Sequence, residues 1–173
     1  MKQPSGATIT LVLPRDYAAQ SCSIARTLEV VGDRWTLLIL RNAFFAGATR
    51  FGDFQARLNV ARDVLADRLS RLTDHGIFER SVYQGRQVRF EYLLTEKGRD
   101  LVAVLVAMVE WGDRYHAPDG PPREIVHAHC GGAVEQHLTC GACRAGLEAH
   151  EISSRPGPGS GRHAQPPQPV AAS

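Results

Sequence analysis

The sequence predicts an α+β fold that is mostly helical, and three observations lead to this prediction. Apolar residues recur at helical spacing through most of residues 22–116. Within that stretch, a short segment changes to the two-residue period that is typical of β-strands. After a Pro- and Gly-rich segment, three cysteines and several histidines follow in residues 124–152. We therefore expect one helical domain that contains a β-hairpin, and a small Cys-rich appendage after it.

The first part of the domain is expected to contain four helices, because apolar residues there repeat every three or four positions. Gly32 ends the first helix, and Asp33 can cap the second. Asn59 suits a left-handed turn between the third and fourth, and Gly76 suits the same conformation after the fourth. The four helices are predicted over Ser21 to Val31, Arg34 to about Phe45, Phe51 to Leu58 and Ala61 to Asp74.

A β-hairpin and a closing helix complete the domain. Residues 78–83 and 88–94 alternate between apolar and polar positions, and the Gly-containing segment 84–87 connects them. Thr95 is a suitable N-cap for a helix that extends to about His116. This order of elements predicts a winged helix-turn-helix with a long C-terminal dimerisation helix. In that fold one helix enters the major groove of DNA, and the hairpin contacts DNA beside it.

Several segments also resemble one family of regulators. They are residues 22–41, the string Arg50-Phe-Gly-Asp-Phe54, and residues 65–72, 90–99 and 111–112. Together they resemble the HxlR-type regulators, which are relatives of the MarR family. The resemblance implies a homodimer on a pseudo-palindromic DNA operator, with the helix at 61–74 in the major groove.

The candidate DNA contacts lie on the outward face of that helix and near the hairpin. Residues 50–89 carry eight arginines and five acidic residues, a net charge of +3, whereas the whole chain carries only +2. Overall charge therefore does not predict DNA binding, which depends on well-placed contacts to bases and phosphates. Periodicity alone favours a solvated helix face, whereas the predicted hairpin and the resemblance together favour DNA contact. The candidates are Arg50, Arg62, Asp63, Ala66, Asp67, Ser70, Arg86 and Arg89.

The closing helix contains nine consecutive apolar residues, 101–109. A helix that packs on its own domain needs only three or four apolar positions in two turns. The opposite face should therefore be covered as well, either by a second subunit or by a larger monomer. A domain of this size has little material for the second arrangement, which favours a dimer. The expected interface residues are Leu101, Val104, Leu105, Met108 and Trp111.

The four cysteines have two predicted roles. Cys22 begins the first helix, where a thiolate is favoured, and the resemblance implies a redox or electrophile sensor at this place; the alternative is a small packing residue. Cys140 and Cys143 form a C-x2-C pair that, with Cys130 and His129, can bind a structural zinc ion within residues 127–143. The alternative is a tail whose cysteines are incidental. No cofactor is otherwise expected.

The sequence thus predicts a DNA-binding transcriptional regulator, acting as a repressor and responding to an oxidant, an electrophile or a small molecule. The alternative is a redox- or metal-handling protein that contacts DNA incidentally. The chain lacks the short motifs of common enzyme classes and any apolar run of membrane-spanning length, so a cytoplasmic protein without enzymatic activity is expected. The predicted divisions are an arm at 1–20, the domain at 21–116, a linker at 117–123, the appendage at 124–152 and a disordered tail at 153–173.

Overall fold

Helices, a two-stranded sheet and a loop-rich C-terminal part follow one another along the chain in the predicted order. The computed structural model describes residues 22–83 and 89–160, so the predicted arm at 1–20, the hairpin tip at 84–88 and most of the predicted tail lie outside the described residues. The elements are α1 (Ser23–Val31), α2 (Arg34–Ala46), α3 (Phe51–Leu58), α4 (Arg62–Asp74), β1 (Phe78–Tyr83), β2 (Arg89–Leu94), α5 (Glu96–Arg99) and α6 (Val102–His116).

The helix boundaries follow from local chemistry. The Asp33 carboxylate accepts a hydrogen bond from the Trp35 N–H at 2.9 Å and caps α2. Asn59 adopts the predicted left-handed conformation at the end of α3, with φ 48°. Gly76 has φ 67°, and Ile77 N–H donates to the Leu72 carbonyl at 2.8 Å, which closes the end of α4.

The prediction of a single closing helix is wrong, because α5 and α6 are separated at Asp100 and Leu101. Thr95 caps α5 as expected, accepting a hydrogen bond from Gly98 N–H at 3.0 Å. Gly98 is buried, and a Cβ atom placed there would overlap the carbonyl oxygen of Ile77. This close approach fixes α5 against the residue before β1, and α6 begins after Leu101.

The hairpin pairs antiparallel from Phe78 opposite Leu94 to Tyr83 opposite Arg89. The residues before α3 extend this sheet: Arg50 forms an isolated antiparallel bridge with Glu91, and Tyr92 N–H donates to the Thr49 carbonyl at 2.7 Å. The hairpin is therefore attached to the start of α3.

The core lies where α2, α3, α4 and the hairpin meet. Phe54, Phe78 and Tyr92 form a cluster of aromatic rings with centroids 6.2 to 6.5 Å apart. Around this cluster, large apolar side chains are almost fully excluded from solvent; they are Ile39, Leu40, Leu65, Leu69 and Leu72.

Residues 30–155 form one compact unit, and the described residues 22–29 and 156–160 belong to a second. In the second unit, Ile24 and Leu28 expose 72% and 49% of their surface. Residues 117–123 contain no helix or strand, and residues 124–152 contain isolated β-bridges and a short 3-10 helix at Ala149–Glu151. The predicted domain divisions stay predictions.

Candidate nucleic-acid interface and neighbouring sites

The helix α4 presents one apolar and one polar face. Leu65, Leu69 and Leu72 are buried and hold the helix on the core. The opposite face carries the predicted contact residues: Arg62, Asp63, Ala66 and Asp67 are exposed, and Ser70 is half-buried. The left-handed turn at Asn59 joins α3 to this helix, in the manner of a helix-turn-helix pair.

Three of the predicted DNA-binding arginines converge on one depression. Arg50 precedes α3, Arg62 begins α4 and Arg89 begins β2, and all three line a hollow of about 450 Å³ between the helix pair and the hairpin. Asp53 lines the same hollow, so arginines outnumber acidic residues in its lining by three to one, and arginine is a side chain that suits phosphate binding. These residues were predicted separately from the sequence, and the structure shows that they line one hollow.

Two of these arginines are held by neighbours. Arg62 lies over the Phe51 ring at 5.1 Å and donates to Gln55 Oε1 at 3.3 Å. Arg50 forms an ion pair with Glu91 at 2.9 Å across the bridge between α3 and the hairpin. Phe51 and Gln55 thus orient Arg62, a predicted contact residue; the sequence analysis missed this role because it depends on packing across the turn.

Asp67 has an ion-pair partner on its own helix. Its carboxylate accepts from Arg68 at 2.9 Å, and Arg68 also reaches the carboxylate of Asp33 at 3.2 Å. Arg68 therefore connects α4 to the cap of α2 and sets their relative position. The sequence analysis did not identify this residue.

On the hairpin, Arg86 lies outside the described residues, so its predicted role stays a prediction. A further cation, Arg80, lies over the rings of Phe90 and Tyr92 at 5.8 and 5.7 Å. Arg80 and Tyr92 are opposite each other in the strand register. Arg80 adds an exposed positive group near the base of the hairpin.

One exposed apolar stripe extends along α6. Val104, Met108, Trp111 and Tyr115 are 44%, 49%, 59% and 61% exposed and recur every three or four residues. Leu105, predicted at a subunit interface, is instead 5% exposed within the core of this protomer. Leu101 is half-buried against the same core. Tyr115, which packs on Trp111 with ring centroids 5.5 Å apart, extends the stripe beyond the predicted residues.

A second cavity, of about 520 Å³, lies between α2, α6 and the segment after residue 121. The charged residues that line it are Arg41, Arg57, Arg123 and Asp113. Asn42 also lines the cavity. Among the described residues, its amide nitrogen is the buried side-chain nitrogen or oxygen atom that has no hydrogen-bond partner. Apolar side chains complete the wall, namely Phe45, Val109 and Ile125.

All four cysteines are free thiols. Cys22 is exposed and lies at the start of α1, where its backbone carbonyl accepts a hydrogen bond from the Arg26 N–H. In the appendage, Cys130 contacts His127 at 3.1 Å. Backbone hydrogen bonds from Cys143 and Ala142 lower the pKa of the Cys140 thiol. Within the described residues, no three potential ligands gather closely enough to bind a metal ion as they stand.

His129, the predicted metal ligand, packs its ring against His127 with centroids 5.3 Å apart. The histidine beside a cysteine thiol is therefore His127.

Among residues 22–83 and 89–160, no helix is both long and apolar enough to span a membrane.

Comparison with known proteins agrees with this geometry. The model of the HxlR-like helix-turn-helix family matches residues 30–120. The chain is 45% identical over 138 residues to the uncharacterized HTH-type transcriptional regulator Rv3095 of Mycobacterium tuberculosis, covering 79% of this chain and 87% of the relative.

Two solved structures are similar as well. PA1607, a candidate transcription factor, has a TM-score of 0.71 and 39% identity over 78% of this chain and 94% of its own. The redox regulator HypR in its reduced form has a TM-score of 0.50 and 31% identity over 54% and 92%. With a helix-turn-helix pair, a hairpin and an arginine-lined hollow between them, the chain belongs to the HxlR-like family of HTH-type transcriptional regulators.

Proposed function

We propose that the protein represses transcription by binding a pseudo-palindromic operator as a homodimer, with one α4 helix of each protomer in the major groove. The observation that carries this proposal is the convergence of Arg50, Arg62 and Arg89 beside the exposed face of α4. Guanidinium groups at this place can donate to phosphate oxygens and to guanine, while α4 presents Asp63 and Ala66 to the base edges.

DNA binding is tested by fluorescence anisotropy on the fragment upstream of the protein's own gene. Arg62→Ala should weaken binding about 10- to 100-fold and, if Arg62 contacts phosphate, reduce the salt slope by about 0.9. Arg57→Ala is the matched control, because Arg57 is exposed on α3 but lines the other cavity. Equal affinities for the wild type and Arg62→Ala would contradict the proposal.

The dimer is supported by the apolar stripe on α6, because two-fold half-sites need two copies of the chain and a continuous apolar stripe is typical of an interface. Met108→Glu places a charge in the middle of this stripe. In size-exclusion chromatography we expect this variant to elute as a monomer, and we expect it to lose operator affinity. Val82→Glu, on an exposed hairpin position, should leave the mass of the assembly unchanged. A monomeric wild-type protein would contradict this part of the proposal.

Repression is tested by transcription in vitro from the same promoter. A dimer that spans two half-sites covers more than one turn of DNA and blocks polymerase, so transcript should fall as protein is added. A rise in transcript would show activation instead.

We propose two signals that would release the protein from its operator. Cys22 is exposed, and HypR, similar over half of this chain, is a redox regulator. A Cys22 thiolate would attack one oxygen of hydrogen peroxide, which breaks the O–O bond, adds a hydroxyl group to the sulfur as a sulfenic acid and releases hydroxide. Peroxide should therefore lower operator affinity in the wild type but not in Cys22→Ser. The same loss in both proteins would exclude Cys22 as the sensor.

The cavity beside α6 is the proposed site for a small effector. The cavity is lined by three arginines, one aspartate and several apolar side chains, a combination that favours an anion with an apolar body. Benzoate serves as the probe. It should raise the melting temperature of the wild type and of Arg62→Ala, but not that of Arg123→Ala; no change in any of them would contradict the proposal.

A further inference from the structure

The appendage contains the same turn twice, at positions that differ by thirteen residues. In the first turn the backbone hydrogen bonds are Val134 N to Ile125 O at 2.9 Å, His127 N to Gly132 O at 2.8 Å and Gly131 N to His127 O at 2.8 Å. In the second they are Leu147 N to Leu138 O at 2.8 Å, Cys140 N to Ala145 O at 2.9 Å and Arg144 N to Cys140 O at 3.0 Å.

The backbone conformations of the two turns also agree. Gly131 and Arg144 occupy equivalent positions, and both are left-handed, with φ 72° and 63°. Arg144 is one of two described residues other than glycine with positive φ, so the second turn keeps this conformation against the preference of its side chain. The repeat is thus a property of the backbone, although the two sequences share few residues.

Each turn brings two potential metal ligands together. His127 is equivalent to Cys140, and Cys130 is equivalent to Cys143. In the first turn, His127 Nδ1 lies 3.1 Å from Cys130 Sγ. In the second, the side chains of Cys140 and Cys143 are hydrogen-bonded, and backbone N–H groups donate to the Cys140 sulfur. The turns therefore form a His-x2-Cys pair and a Cys-x2-Cys pair in the same geometry.

The appendage has no apolar core to stabilise these turns. Within the described residues 124–152 no side chain is buried, and Val126, Val134 and Leu138 expose 46%, 39% and 55% of their surface. A segment this short rarely folds without a disulfide or a metal ion, and its cysteines are free. A structural metal ion would supply the missing stabilisation.

We propose that His127, Cys130, Cys140 and Cys143 together bind one Zn²⁺ ion, with each turn supplying two of the four ligands. Three thiolates and one imidazole in tetrahedral geometry are a ligand set that favours zinc. Zinc–nitrogen and zinc–sulfur bonds at the tetrahedral angle place the two ligand atoms about 3.6 Å apart, so the 3.1 Å His127–Cys130 pair needs little adjustment. Binding the ion draws the two pairs together across the short segment 135–137.

This site replaces His129 with His127 as the fourth ligand. His129 is equivalent to Ala142 of the second turn, a position that carries no ligand, whereas His127 is equivalent to Cys140. The two histidines therefore form a matched pair of test positions, two residues apart in one exposed turn.

The test uses the full-length reduced protein, loaded with Co²⁺ and then with Zn²⁺. We expect one ion per chain, a visible Co²⁺ spectrum with thiolate charge-transfer bands, and protection of Cys130, Cys140 and Cys143, but not Cys22, from alkylation. In competition with a chromogenic chelator, His127→Ala and Cys143→Ser should each lose at least tenfold in zinc affinity. His129→Ala should bind zinc as the wild type does.

Circular dichroism of each variant checks that the helical domain is still folded. The helices of residues 30–116 give the signal, and their described core contains no residue of the appendage. Helical spectra together with the expected affinities support the site. The proposal is overturned by less than stoichiometric metal in the wild type, by one ion per two chains, or by equal affinities of the two histidine variants.

Discussion

The described parts of residues 30–116 and residues 124–152 both have a hydrogen-bonded backbone, yet they differ in how far they bury their side chains. The first segment buries large side chains such as Phe54, Phe78 and Leu65 almost completely. In the second, the least exposed described residues are only half-buried; they are Ile125, Cys140 and Leu147. The difference shows that hydrogen-bonded turns do not need an apolar core, but that their stability must then come from elsewhere.

The largest effect is expected from removing the centre of the core. Phe54 is fully buried between Phe78 and Tyr92, so Phe54→Ala should lower the free energy of unfolding by about 3–5 kcal/mol. Val134→Ala, in the appendage, should change it by less than about 0.5 kcal/mol. Urea denaturation followed by circular dichroism measures both. Similar losses in the two variants would remove the contrast between the segments.

A smaller effect is expected at Gly98. A methyl group there would meet the Ile77 carbonyl oxygen and Leu94, so Gly98→Ala should destabilise the domain by about 1–3 kcal/mol. Gly112, in α6, has open space at the same position, and Gly112→Ala should be neutral or stabilising by up to about 1 kcal/mol. Thermal unfolding distinguishes the two. A neutral Gly98→Ala would show that α5 can move away from the hairpin.

Removal of the N-cap of α5 should lower the free energy of unfolding by about 1 kcal/mol. Thr95 Oγ1 accepts from Gly98 N–H at 3.0 Å and lies 2.6 Å from the Gly76 carbonyl oxygen, so Thr95→Ala loses hydrogen bonds at both ends of a junction. Thr95→Ser keeps the hydroxyl group and serves as the control. Urea midpoints that are equal for the two variants would contradict a role for the hydroxyl.

The smallest effect on the helical domain is expected from a chelator, which should act on the appendage alone. If the proposed zinc site holds residues 124–152, EDTA should speed proteolysis within them and leave the melting temperature of the helical transition nearly unchanged. A large fall in that temperature would show that the two segments depend on each other. Limited proteolysis with mass spectrometry locates the cleavage.

Much of the helical domain could be predicted from sequence because its signals are local. Apolar spacing placed α2 to α4, and Asn59 and Gly76 marked turns that require left-handed backbone. The split between α5 and α6 was not predicted; Gly98, beside it, contacts the carbonyl group of Ile77, which is distant in sequence and lies just before β1. The inward direction of Leu105 was missed for a related reason: nine consecutive apolar residues do not show which of them face the core.

The candidate sites were predicted in part. Arg50, Arg62 and Arg89 were singled out from sequence, but their common hollow and the supporting roles of Phe51, Gln55 and Arg68 arise from packing across the turn. The repeated turn of the appendage was missed, because its two copies share geometry rather than residues. The spacing of His127 to Cys130, equal to that of Cys140 to Cys143, was the available signal.

The junction at Thr95 and Gly98 has a mechanical consequence. The end of α4, the root of the hairpin and α5 form one rigid body there, since Lys97 Nζ also donates to the His75 carbonyl at 2.7 Å. The stripe-bearing helix α6 follows this body after Asp100 and Leu101, and Leu105 holds it on the core, so this junction sets the direction of α6. Over the roughly 22 Å of a fifteen-residue helix, a tilt of about 10° displaces the far end by about 4 Å. That displacement exceeds the roughly 3.4 Å step between base pairs. In the proposed dimer, the direction of α6 would therefore decide whether the two α4 helices match the spacing of one operator.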